Sequence, residues 1–132
     1  MRALAIGFGL LALCLTAAGA QTPLQCSGAQ KSWLVADLLF GTSHVSEAGF
    51  ARFLAREVTP RFPEGFTVLD ARGQWRNPDN KKIARERSKV VMITMPPDPG
   101  NEDRLAKIIE AYKIRFKQQS VGLIVRPACV SF

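Results

Sequence analysis

Apolar positions along the chain switch between unbroken runs, alternation and helical spacing, and each switch marks an element. From Trp33 to Phe40 the residues are apolar except for Asp37, and Gly41 ends the run. A run this short reads as a buried strand. Ser46 then offers an N-cap, with Glu47 at the positive end of the helix dipole. Phe50, Phe53, Leu54 and Val58 recur at helical spacing until Pro60, which lacks the amide a helix needs. "GFTVLDARGQWR" and "KKIARERSKVVMITM" read as two strands joined by the turn "NPDN", which makes a hairpin. After "PPDPGN", Asn101 is expected to cap a second helix with the apolar stripe Leu105, Ile108, Ile109, Tyr112 and Phe116. "VGLIVRPACVSF" supplies a last strand.

Strand, helix, strand, strand, helix, strand is the order of an α+β, ferredoxin-like split βαβ fold, a four-stranded antiparallel sheet with both helices on one face. Right-handed crossovers place the first and third strands at the centre and the second and fourth at the edges. A sheet face left to water should alternate with polar residues. Here Trp33, Val35 and Leu39 oppose Leu34, Ala36, Leu38 and Phe40, and Val90 and Met92 oppose Val91 and Ile93. Both faces are therefore apolar at mid-sheet, and the face without helices is expected to be covered by a second copy, a homodimer, or by a ligand.

The N-terminus changes the setting. "MRALAIGFGLLALCLTAAGA" has one cation, an apolar run shorter than a membrane span, and small residues at Ala18–Ala20. It predicts a signal peptide cleaved after Ala20, with one domain over 21–132, export to the periplasm or medium, and no transmembrane segment in the mature chain. Cys14 leaves with the signal. Cys26 and Cys129 remain, and the topology brings the end of the fourth strand beside the start of the first. That geometry favours a disulfide over two free thiols.

Charge then picks out the hairpin. The chain carries +7, and Arg2 is the only charge in its first 20 residues, so the mature domain keeps +6. Between Asp70 and Lys89 seven cations face three anions, which places +4 of that excess in the hairpin. Period two puts Arg85, Arg87 and Lys89 on one face of their strand and Arg72, Gln74 and Arg76 on one face of the other. Cations at a sheet edge discourage aggregation, and Asp37 has a structural part open to it as the ion-pair partner of Arg87 or Lys89. The functional alternative is an anion site formed by Trp75, Arg85, Arg87 and Lys89, suited to a small anion or an acidic envelope component. Nucleic acid is not expected as a partner, because no aromatic pair forms a stacking platform.

Catalytic patterns are sparse. His44 is the single histidine and has no ligand-spaced companion, so no metal is expected. No glycine-rich phosphate loop or nucleophile elbow occurs, and no cofactor is expected. An enzyme of the dimeric α/β barrel type would have to use Asp37 or Glu86 as a general base in an apolar pocket.

"DLLFG", "VSEAGFARFLAREVTPRFPEGFTVLDARGQWR", "RERSKVV" and the terminal "ACVSF" together resemble a family of small exported bacterial proteins. It is catalogued as a domain of unknown function, number thirty-five seventy-four. The resemblance runs from about Asp37 to Phe132. It implies export and a compact α+β domain, and transfers no catalytic residue. Leu39 stands where the family pattern suggests tyrosine, and Arg72 where an aromatic precedes "GQWR".

Overall fold

The computed structural model describes residues 24–132, so the expected signal segment lies outside the described residues. The elements are β1 (Lys31–Gly41), α1 (Glu47–Phe53), β2 (Thr67–Arg76), β3 (Ile83–Met95), α2 (Asn101–Phe116) and β4 (Gly122–Val130). The sheet order is β2-β3-β1-β4 with every pairing antiparallel, the ferredoxin-like arrangement. No described helix is long and apolar enough to cross a membrane.

Local chemistry accounts for the helix ends. Ser46 caps α1, its Oγ accepting the Gly49 amide at 3.1 Å. The helix then widens into a π-helical stretch over Leu54–Val58, in which the Thr59 amide donates to the Leu54 carbonyl, and the chain leaves at Pro60. At α2 the expectation is off by one residue. Gly100 occupies the cap position and Asn101 is the first helical residue. The Asn101 side chain instead donates backward to the Pro96 carbonyl at 2.9 Å and accepts from Arg104, which fixes the rigid proline loop against the helix start.

The core lies between the helices and one face of the sheet. Ala36, Leu38 and Phe40 from β1 and Val91, Ile93 and Met95 from β3 are buried against Phe50, Phe53, Val58, Leu105, Ile108 and Tyr112. Its centre is aromatic: Tyr112 lies 4.5 Å from Phe40, 5.0 Å from Phe53 and 4.7 Å from Phe116 between ring centroids. The tyrosine hydroxyl is satisfied by donating to the Gly41 carbonyl at 2.8 Å, which ties α2 to the end of β1.

Cys26 and Cys129 are bridged, with S–S 2.07 Å and Cα atoms 5.4 Å apart. The register explains why they meet: Cys129 pairs with Ser32 at the start of β1. Among the described residues no helix lies on the opposite sheet face. Leu39, Leu69 and Ile124 stand on it at 40–50% exposure. Asp37 lies among them, its carboxylate accepting from Nη1 of Arg126 on β4.

Candidate functional site

The β2–β3 hairpin is held open at its tip by an asparagine-led turn. Asn77 Oδ1 accepts the amides of Asp79 and Asn80, and Lys81 takes the left-handed conformation with φ 58°. From this tip the register runs Gln74↔Arg85, Arg72↔Arg87 and Asp70↔Lys89. Directly opposed residues share a sheet face, so the two cationic sets expected from alternation do lie together. Arg72, Arg85 and Arg87 are exposed. Among the described residues none of the three forms an ion pair with a carboxylate. A shallow hollow of about 490 Å³ lies over Arg72, Gln74, Arg85 and Arg87.

Lys89 has a different fate from its neighbours. It is 8% exposed, and its ammonium sits 2.9 Å from Glu47 and 2.5 Å from Asp70, over the Phe50 ring. The hydrogen bond to Asp70, then that to Glu47, raises its pKa above the ordinary lysine value. Its charge is already matched within the fold, so Lys89 joins α1 to the hairpin. Asp37 is also placed otherwise than expected. Alternation along β1 puts it on the helix-free face, away from Arg87 and Lys89, and its partner is Arg126.

Trp75 is likewise separated from Arg85 and Arg87. It pairs with Ala84 and stands on the other face of the hairpin, so no single floor contains all three side chains. Trp75 shares its face with Glu86. Together with Leu39, Ser88, Val90 and Gln118 they line a cleft of about 380 Å³ at the hairpin end of the helix-free face. Glu86 lies flat across the end of β1, where a Cβ on Gly41 would come within 2.7 Å of its Oε1. Its Oε2 accepts from Ser43 Oγ at 3.0 Å. Beneath it the Tyr112 hydroxyl is pushed above its ordinary pKa, first by burial and then by the Glu86 charge. The α2–β4 loop closes the far side, where Gln119 Nε2 donates to Asp79 of the hairpin tip at 3.1 Å.

Sequence reasoning missed most of this cleft. Gly41 reads only as a strand stop, and Gln118 and Gln119 stand out in no pattern, because nothing local shows which distant residue a glycine makes room for. Among the described residues no group of three His, Cys, Asp or Glu is placed to hold a metal ion. His44 lies in the loop before α1.

A family model matches residues 36–132. The chain belongs to the family described as Protein of unknown function (DUF3574). No curated protein matches it. Solved structures resemble the DUF3574 chain in fold alone, since their identity to it is low. A phage SAM lyase in complex with S-methyl-5'-thioadenosine is 12% identical with a TM-score of 0.61, covering 85% of this chain and 97% of that one. CutA from Synechococcus elongatus PCC7942 is 11% identical with a TM-score of 0.52, covering 76% and 80%. The same CutA complexed with a Bis-Tris molecule gives 12% and 0.51, covering 77% and 87%.

Proposed function

We propose that this DUF3574 domain is an exported binding module that holds an anionic group on the cationic face of its hairpin. The observation that carries the reading is the register: Arg72 faces Arg87 directly and Arg85 follows two residues along, with no carboxylate paired to any of them among the described residues. Like charges directly opposed across a sheet are destabilising. A bound phosphate or carboxylate relieves that repulsion, and guanidinium forks match its geometry. The ligand class is a small anion or an acidic component of the cell envelope, contacted by Arg72, Arg85 and Arg87. Lys89, matched by Glu47 and Asp70, and Trp75, on the other side of the hairpin, take no part in this face.

Export rests on the signal-like N-terminus and on a Cys26–Cys129 bridge that suits an oxidising compartment. Secreted protein starting at Gln21 is the expected product of expression with the native leader, read by N-terminal sequencing. The helix-free face, with Leu39, Leu69 and Ile124 exposed, supports assembly as a homodimer. The enzyme reading has less behind it. Asp37 is committed to Arg126, and among the described residues that line the cleft Glu86 has no second carboxyl, histidine, lysine or tyrosine beside it.

The anion reading is tested by thermal shift of the mature protein with inorganic phosphate, citrate and polyphosphate at low salt. Stabilisation that fades as ionic strength rises is expected, and it should vanish in the Arg85→Ala, Arg87→Ala double variant. Equal stabilisation of wild type and double variant defeats the reading.

A further inference from the structure

We propose that the Trp75–Glu86 cleft, on the face of the hairpin opposite the arginines, is a second binding site, for a small organic cation: a protonated amine on a flat apolar body. The cleft has the size of a small-molecule site, about 380 Å³, and sets apolar walls against polar groups that include Glu86, Ser88 and Gln118, with Arg72 also on its lining. Trp75, Leu39, Val90 and Ala71 supply the walls. Its one carboxylate is Glu86, half-buried, with a serine hydroxyl on Oε2 and, among the described residues, no cationic partner.

That isolation is the informative feature. Glu86 lies between two arginines in sequence, yet strand alternation turns both guanidinium groups to the other face. In a basic domain a carboxylate left without a cation beside a buried aromatic core asks for one from outside. Gly41 is what lets it lie there, since any side chain at that position meets the carboxylate. Gly73 and Gly122 keep the neighbouring floor low: a Cβ would meet Ser88 at the first and Leu39 at the second. An amine entering the cleft salt-bridges Glu86 Oε1, while its apolar body lies against the indole of Trp75, the ring type that attracts cations best. Gln118 and Ser88 stand at the edge as further hydrogen-bonding groups. Anions and neutral ligands gain nothing from Glu86. The two faces of one hairpin thus select opposite charges.

The test is an NMR titration of the ¹⁵N-labelled mature protein with phenethylamine and spermidine, with phenethyl alcohol and phenylacetate as charge controls. Saturable shifts of the Gly41 and Gly73 amides and the Trp75 indole N–H are expected with the amines alone. Glu86→Gln, which keeps an acceptor for Ser43, should weaken binding at least 10-fold. Gly41→Ala, which pushes the carboxylate aside, should do the same by a separate route and covers the case of a misfolded Glu86→Gln. The Arg85→Ala, Arg87→Ala variant should bind amines as wild type does, which keeps this site distinguishable from the anion face. Equal shifts with phenethyl alcohol, no saturable shift with either amine, or unchanged affinity in both Glu86→Gln and Gly41→Ala overturns the proposal.

Discussion

Tyr112 is the residue on which core, strand end and cleft converge. Its ring is fully buried among Phe40, Phe53 and Phe116, and its hydroxyl donates to Gly41, whose α-carbon underlies Glu86. Tyr112→Phe keeps the packing and removes the bond, at a cost of about 1 kcal/mol near neutrality. The pH dependence follows from the direction of the shift. Burial and the Glu86 charge raise the folded pKa above the ordinary 10.0. The stabilisation is therefore complete below pH 10 and is lost as the pH climbs from there toward the folded value, because the unfolded tyrosine ionises first. Lys89, also raised, acts in the same direction from 10.5 upward. Urea unfolding at pH 7, 9 and 11 should show wild type losing more stability above pH 10 than Tyr112→Phe does. Parallel losses in the two proteins would contradict this assignment.

Elements are joined here by a few long-range ties rather than by long helices. The Cys26–Cys129 bridge closes a 103-residue separation and fastens the end of the edge strand β4 to the segment before β1. Opening it in the Cys26→Ser, Cys129→Ser variant is expected to cost about 3 kcal/mol through chain entropy, or roughly 12 °C in Tm. Differential scanning calorimetry decides, and a shift under 2 °C would mean that the bridge adds little to a strand already paired along its length. The hairpin shows how much an element owes to alternation. Seven cations in one segment suggested one site, yet the two-residue period divides the segment into an arginine face and a tryptophan–glutamate face. Trp75 and Arg85 are close in the hairpin and cannot touch the same ligand.

At the scale of the molecule the question is what covers the helix-free sheet. Leu39, Leu69 and Ile124 are 40–50% exposed around the Asp37–Arg126 pair, an arrangement that suits a self-complementary partner. Analytical ultracentrifugation at micromolar concentration should find a dimer of mature chains, and Leu69→Arg should yield a monomer that keeps its fold. A monomeric wild type would remove the dimer and leave the arginine face unaffected, since Arg72, Arg85 and Arg87 point away from that sheet surface, whereas the cleft shares Leu39 with it.

Much of this architecture was legible in residue order. Strand and helix periods, the proline stops and the apolar stripes specify six elements, and their sequence allows one ordinary topology. The disulfide followed from that topology, because antiparallel neighbours bring chain ends together. Partners for individual charges were not legible in the same way. Lys89 looked like a ligand for an anion and is neutralised by Glu47, a residue on another element. Asp37 reads as the partner of Arg87 or Lys89 and meets Arg126, 89 positions away. Periodicity tells which face of its own element a side chain takes. Only the folded sheet decides which strand supplies the neighbour, because register is set by the summed packing of whole strands and no single residue encodes it.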